Sequence, residues 1–536
     1  MSLYLEKLTA YDLYASGYHT LRKGICVMRY SFLIFSILFF FLQIESNVFA
    51  QPVITPAKQH PSKTTKQKQV VKTSDNDIWS IIYIGKNRVG FIRNTFQKQN
   101  KQITISEETH MTFRRFGKPI TIAIKLNITA AAEGDLLNYR FEMKNSPANK
   151  TISIGKVQRG QLIQNTQIAG EKKTSQQPLK RLTKAPRYEL YLLKQKPLLP
   201  GQTIRFQSFE PVFNKTTKVT ISAEKYEEIK LLDGKKHRLL RAKMVFSIVP
   251  QTPTKIWIDQ QGNILRSESK FLGKQMVTYR VKPEVALKEV AGGELDLAVS
   301  ALVRVNQIRN GHKSKKVVYQ IKTPQNNPVK YFPSGETQSI EKIDHETLKL
   351  TVTKIDLSKM GKSKKPDGSY LKPTLFLQSR DANVRTHAMR ATKNRRDKRE
   401  IAMRMEKYVY QNMKAKNFST ALASAAEVAK NLEGDCTEHA VLLAAMLRVE
   451  KIPSRIAVGL VYIEKRSVFS GHMWTEAYVD GHWIPLDATL GQGGIGAAHI
   501  KLAASSFSEN APAPVTLFLP MMTLMNNLQI TVVESN

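Results

Sequence analysis

The chain has 536 residues, of which 42% are hydrophobic and 8% aromatic, which fits a globular protein with ordinary cores in about three domains. Its 82 Lys+Arg against 44 Asp+Glu give a net charge of +38, a balance that suits an anionic surface such as lipid headgroups or cell-wall polymers. No nucleic-acid motif accompanies the charge, so no specific nucleic-acid partner is expected, and a solvated basic surface set by overall composition explains the excess equally well.

The basic residues are spread along the chain, with a local cluster at Arg390, Lys393, Arg395, Arg396, Lys398 and Arg399. At the N-terminal end, Met28-Arg29 precedes the apolar run YSFLIFSILFFFL, and Val48-Phe49-Ala50 offers a cleavage site before Gln51. That order of charge, short apolar core and small residue is a secretory signal over 28–50. The run is too short for an ordinary spanning helix of about 20 residues. Residues 1–27 fit no part of such a signal, which marks Met28 as the expected start and the preceding segment as over-called. The expected location is the periplasm or outside the cell, with no transmembrane helix in the mature chain. An uncleaved N-terminal segment would instead hold the protein at the membrane. Cleavage after Ala50 removes Cys26 and leaves Cys436 alone, so no intramolecular disulfide is expected. A lone thiol kept in an oxidising compartment favours a chemical role for it.

Residues 51–76 are rich in Lys, Gln, Thr and Pro and read as a disordered linker. From 77 to 282 the pattern is strand-like. IWSIIYIG and VGFIRNTF flank the turn Gly85–Arg88, and ITISEETHMTF, ITIAIKLNIT and LNYRFEM alternate with period two. Further hairpin signals stand at Leu232-Asp233-Gly234 and at Asp259–Gly262. Together they predict one large antiparallel sheet, curved or partly closed. The polar stretch 165–187 predicts a mobile loop. Residues 283–378 read as a linker with a short helix over 283–299, followed by a small β domain.

Helices begin after that, within an expected catalytic domain at 379–536. Arg399–Asn412 places Ile401, Met405, Tyr408 and Asn412 on one face. Ser419–Asn431 spaces Leu422, Ala425, Val428 and Ala429 for burial. A third helix follows the loop signal Gly434-Asp435. Asp435 at its N-cap with Glu438 three residues on forms a capping-box pattern, which places Cys436 at the first helical position. The unpaired N–H groups and the helix dipole favour a thiolate there. After a glycine-rich loop at 491–496 a helix is expected from His499. The apolar segment VTLFLPMMTLM is expected to pack on the core, and LQITVV to form a last strand.

Asp480-Gly481 separates MWTEAYV from HWIPLD and is a strong two-residue hairpin signal. With a two-residue loop, Val479 pairs with His482, Trp474 faces Asp487 and His472 faces Thr489. Period-two alternation then puts His472 and Asp487 on one sheet face as diagonal neighbours. The carboxylate can take a proton from one imidazole nitrogen and leave the other for a thiol. A three-residue loop would reverse the parity and separate them. Other readings of these residues are a small buried hydrophobe for Cys436, a packing role for His439, and core positions for Trp474, Trp483, Tyr478 and Ile484. Metal ligation is not expected, because no second Cys lies nearby.

The blocks GDCTEHA, IPSRIAVG and HMWTEAYVDGHWIPLDAT, within about residues 385–495, resemble the transglutaminase-like superfamily, a papain-like group of Cys-His-Asp enzymes. The resemblance implies an α+β fold, with a papain-like transglutaminase core of helices packed on an antiparallel sheet, C-terminal to the large all-β region. It implies a cofactor-free acyl-transfer enzyme with Cys436 as nucleophile, His472 as base and Asp487 as orienting carboxylate. Asp435, Glu438, His439, Trp474 and Glu476 are the neighbouring residues expected to bind substrate or support the triad. Many relatives supply an oxyanion donor from a Trp or Gln upstream of the cysteine. This chain has no Trp between Trp257 and Trp474 and departs from that pattern. Crosslinking relatives flank the cysteine with aromatic residues, whereas here the neighbours are Asp435, Thr437 and Glu438. Hydrolysis of a protein or cell-wall peptide is therefore expected over protein crosslinking. The remaining alternative is a non-catalytic binding or scaffold protein on the same fold. Glu438 and Glu476 would offer negative charge to a cationic group, unless Glu438 only caps its helix and Glu476 only pairs with a nearby Lys or Arg.

Overall fold

Period-two burial builds the N-terminal half: Ile122, Ile124, Leu126 and Ile128 are all buried along one strand. The computed structural model describes residues 76–536 apart from 116–117, 145–149, 169, 251, 272–273, 291–294, 297–301, 325, 358–360, 415–422, 509–513 and 526. The expected export signal and nearly all of the linker lie outside the described residues.

Strands β1 (Asp77–Ile84) to β14 (Lys274–Val281) make one sheet of 14 antiparallel strands. β1 and β14 pair in its middle. From β1 the chain meanders outward to β8 (Glu171–Pro178), and from β9 (Thr203–Glu210) it meanders back to β14. The turns expected at 232–234 and 259–262 lie between consecutive strands, and the one expected at 85–88 narrows to Gly85-Lys86, because Asn87 and Arg88 already pair with β1. The sheet curves: Ile92 and Glu107 from one half line the same cavity of about 120 Å³ as Phe246 and Ile256 from the other. Helix α1 (Tyr188–Gln195) covers that cavity with Leu190. Its N-cap, Arg187, donates to Glu107 at 2.5 Å and lies 3.8 Å from Glu210, and all three are buried.

The mobile loop expected over 165–187 is instead largely ordered strand. Gln161–Ile168 and β8 pair with each other. Backbone pairing needs no apolar alternation, and the polar side chains satisfy one another. Thr174 Oγ1 donates to Asn165 Oδ1 at 2.6 Å, and Gln177 Nε2 donates to Gln164 Oε1 at 2.8 Å. Within 283–299, read as a short helix and a linker, the described helix is α2 (Pro283–Ala286).

Two smaller sheets follow. One has the order β17 (Gln338–Lys342), β18 (Thr347–Thr353), β16 (Lys316–Lys322) and β23 (Gln529–Ser535). The other has the order β15 (Val303–Arg304), β20 (Val468–Val479), β19 (Ser454–Ile463) and β22 (His499–Ser505), with β21 (His482–Leu486) also on β20. The division expected between 378 and 379 does not separate these sheets. The last strand, β23, completes the sheet of β16, β15 joins that of β20, and Gln338 exchanges hydrogen bonds with the Lys501 backbone at 2.8 and 3.0 Å. Pairing between distant segments leaves no mark in local composition.

Helices α3 (Ala382–Thr392), α4 (Lys398–Asn412), α5 (Ala425–Asn431) and α6 (Cys436–Val449) pack together. α5 starts at a Ser424–Glu427 capping box, later than the expected Ser419, and Leu422 lies outside the described residues. α6 is buried from Cys436 to Arg448, and its stretch from Ala440 to Leu447 is apolar all round, as in an interior helix. Truncating one of its core leucines, such as Leu442, to alanine should cost about 2–5 kcal/mol. The basic cluster Arg390–Arg399 is exposed. Helix α7 (Leu519–Leu524) buries Met521 and Leu524. Among the described residues no helix is long and apolar enough to cross a membrane.

Candidate active site

The capping box at the start of α6 forms as the sequence predicts. Asp435 Oδ1 accepts from the Thr437 N–H at 3.1 Å, and Glu438 Oε2 accepts from the Asp435 N–H at 3.0 Å. Cys436 is therefore the first helical residue, a thiol and fully buried. Glu438 also accepts from the Ala423 N–H at 2.9 Å. Burial, followed by the Asp435 charge, pushes its carboxyl well above the usual range. Glu438 is thus occupied in holding the helix start. His439 Nδ1 donates to the Asp435 carbonyl at 2.6 Å, which serves the same turn.

The hairpin is also as expected. Val479 pairs with His482, and the ladder runs to Thr475 opposite Leu486. Asp480 and Gly481 both have positive φ, 55° and 91°, the requirement of a type I′ turn. That parity brings His472 Nε2 within 2.7 Å of Asp487 Oδ2, with both side chains 1% exposed. His472 Nδ1 is buried with no hydrogen-bond partner among the described residues. Thr475, on the same strand, donates to the Ala440 carbonyl of α6 at 2.8 Å, which ties the cysteine helix to the histidine strand.

Two residues that sequence reasoning missed complete the setting of Asp487. His499 was expected to open a helix, but it is the first residue of β22 and pairs with Val461. Its Nε2 lies 3.0 Å from Asp487 Oδ2. The alternation of Ile500 and Leu502, both buried, was the strand signal available. Glu406, on α4, accepts the Asp487 backbone N–H at 2.8 Å and the Gly494 N–H at 3.1 Å. Its spacing from Ala402 and Val409 placed it on the apolar face of that helix.

The electrostatics follow from these contacts. Burial opposes ionisation of Asp487, but the His472 charge and the hydrogen bonds from both imidazoles outweigh it and hold the carboxyl well below the usual range. Burial lowers the His499 pKa against the pull of Asp487. Burial likewise pushes Glu406 up to about 7. The ligating atoms of His472, Asp487 and His499 lie within 4.8 Å of one another. The shared hydrogen bonds already account for all three, and a cation there would have to displace both Nε2 protons.

Trp474 is buried, with its ring 6.3 Å from His472 and 5.5 Å from His499. Trp483 and Ile484 are buried as expected, while Tyr478 is half-buried. Glu476 does not offer charge to a substrate. Lys501 Nζ binds it at 2.9 Å and Arg455 Nε at 2.5 Å. Burial raises its pKa, but those two cations win and lower it.

Residues 385–488 match the Transglutaminase-like superfamily. No curated protein matches the chain. Among solved structures, the chain is similar to a candidate cysteine protease from Cytophaga hutchinsonii at 16% identity, covering 42% of this chain and 92% of that one with a TM-score of 0.27. A β-barrel-like protein from Brucella abortus is similar at 12% identity, over 39% of this chain and 97% of that one, TM-score 0.29. A candidate protease from Parabacteroides distasonis is similar at 12% identity, over 66% and 64%, TM-score 0.18. Likenesses this distant carry no functional argument. The superfamily match spans the helix that starts at Cys436 and the hairpin that joins His472 to Asp487, and the chain therefore carries a transglutaminase-like domain.

Proposed function

We propose that this protein is an exported cysteine acyl-transfer enzyme that hydrolyses peptide-type amide bonds. The observation that carries the reading is the buried His472–Asp487 hydrogen bond of 2.7 Å, with His472 Nδ1 left without a hydrogen-bond partner among the described residues, in the sheet that packs on the cysteine helix.

The chemistry is as follows. His472 Nδ1 takes the thiol proton as Cys436 Sγ attacks the amide carbonyl carbon, and the carbonyl π electrons move to oxygen. The backbone N–H of Cys436, at a helix start, is the natural first donor to that oxyanion. Collapse breaks the C–N bond, and His472 returns the proton to the leaving amine. Water, deprotonated by the same nitrogen, then cleaves the thioester and releases the acid. Asp487 stays ionised and stabilises the imidazolium without taking its proton.

Hydrolysis is favoured over crosslinking because the residues beside Cys436 build no aromatic passage for an amine. Asp435, Thr437 and Glu438 are consumed in the cap. Glu476, neutralised by Arg455 and Lys501, adds no attraction for a cationic acceptor. The protein chain or cell-wall peptide is the substrate class. Incubating the mature protein with a peptide library, with and without a primary-amine probe, tests the reading. Cys436-dependent cleavage exceeding amine incorporation is expected. Dominant amine incorporation would make it a crosslinker, and an unreactive Cys436 would leave a binding or scaffold protein.

A further inference from the structure

We infer that His499 is a positioning residue of this centre, a second imidazole that clamps the Asp487 carboxylate in the orientation His472 needs. The inference rests on the triad reading above. Asp487 Oδ2 receives Nε2 of His472 at 2.7 Å and Nε2 of His499 at 3.0 Å. Its other oxygen, Oδ1, receives the backbone N–H groups of Thr489 at 2.9 Å and Leu490 at 3.3 Å. A carboxylate turns easily about its last torsion, whose wells are broad. Four donors from three directions fix it.

The donors also fix two tautomers. An ionised carboxylate only accepts, so each neutral ring must present Nε2–H and leave Nδ1 bare. For His472 the bare Nδ1 is the base that the proposed chemistry requires. For His499 the bare Nδ1 is buried with no hydrogen-bond partner among the described residues. A ring kept only for packing would do better as phenylalanine. Here the one satisfied polar atom of His499 is the one that meets Asp487. Two donors on Oδ2 also make that oxygen a poor proton acceptor. A proton taken from Cys436 therefore stays on His472, ready for the leaving amine.

The rest of the pocket is built for this contact. The His499 ring is packed by His472 at 5.7 Å, Trp474 at 5.5 Å and His312 at 5.8 Å. His312 donates no charge: its Nε2 lies 2.9 Å from the Tyr462 carbonyl, and burial pushes its pKa down to about 4. β19 runs between the two histidine strands and places Gly459 opposite His472. A side chain at 459 would overlap the Ile500 carbonyl and come within 2.9 Å of the Trp474 ring. Glycine in the middle strand is what lets the rings of its neighbours meet above it.

The test compares the parent chain with His499→Phe, which keeps the ring and loses the donor, and His499→Gln, whose amide reaches where Nε2 was. Nitrogen-15 NMR of histidine-labelled protein should show Nε2 protonated on both His472 and His499 in the parent, with His499 Nδ1 bare. In His499→Phe, kcat should fall roughly tenfold to a hundredfold, the scale of a misplaced catalytic group, with KM nearly unchanged. His499→Gln should recover most of that loss. A parent-like kcat in His499→Phe would overturn the inference, as would equal losses in Phe and Gln variants, or an Nδ1–H tautomer at His499. If the parent shows no Cys436-dependent turnover, the triad reading fails, and the NMR tautomers alone decide whether the clamp exists. If His499→Phe does not fold, the tautomers and the Gln variant still decide.

Discussion

Glu406 Oε1 accepts the backbone N–H of Asp487 at 2.8 Å, so helix α4 holds the carboxylate partner of His472 by its main chain. The same carboxyl takes the Gly494 N–H and thereby fixes the glycine-rich turn that follows. Burial pushes Glu406 up to about 7, against the pull of those two N–H groups. A raised acid binds a proton in the folded state that the unfolded chain has already lost. Its contribution is therefore fully present below the unfolded value, near 4.5, and is lost as pH rises through about 7. Glu406→Gln should flatten that part of the stability profile, by roughly 3 kcal/mol between the two ends. Chemical denaturation at a series of pH values measures it, and an unchanged slope in the variant would show that Glu406 does not titrate there.

Arg448, in the last turn of α6, is a buried hub. Its guanidinium donates to the carbonyls of Lys372 at 2.6 Å, Ser454 at 2.9 Å and Ser506 at 2.7 Å. These contacts join the cysteine helix to three separate segments. Arg448→Ala should destabilise the fold by about 3 kcal/mol, because buried acceptors lose a charged donor. A loss under about 1 kcal/mol in an unfolding titration would show that the segments dock without it.

Glu476 is held between Lys501 and Arg455, and its pKa is lowered. A lowered acid contributes stability above its unfolded value, and that contribution fades as pH falls through the folded one. Glu476→Gln should cost about 3–5 kcal/mol near neutrality, the scale of breaking a buried pair, and less in acid. It should leave any preference among substrate charges unchanged. A changed preference for cationic peptides with little loss of stability would return Glu476 to a substrate role.

Cys436 is 0% exposed, so a reagent must wait for the site to open. The rate of a bulky maleimide relative to that of iodoacetamide should be much lower on Cys436 than on a small free thiol. Equal relative rates on both would show an open site in solution.

Much of this site was legible because it is local. The capping box at Asp435 and Glu438 and the turn at Asp480-Gly481 are short-range signals, and each fixes one side chain. Parity then carried His472 to Asp487 across the hairpin. His499 was missed because both faces of its strand are partly buried, which blurs alternation, and because the preceding glycine-rich loop suited a helix start equally well. Glu406 was missed because a polar residue on a helix reads as a solvated one until its partner is known. The partner, a backbone N–H at residue 487, has no signature in sequence. The strand residues 165–168 and 171–178 were hidden by composition: most of their side chains are polar, and several pair with one another across the strands.

The pH dependence of Cys436 alkylation, measured in the parent and in His472→Ala, tests the central claim most directly. If His472 and the helix start together activate the thiol, the parent rate should inflect well below about 8.5, the value of an ordinary thiol. In His472→Ala the inflection should move back towards that value, and Cys436→Ser should not be labelled at all. An ordinary thiol profile in the parent, unchanged by His472→Ala, would contradict the account.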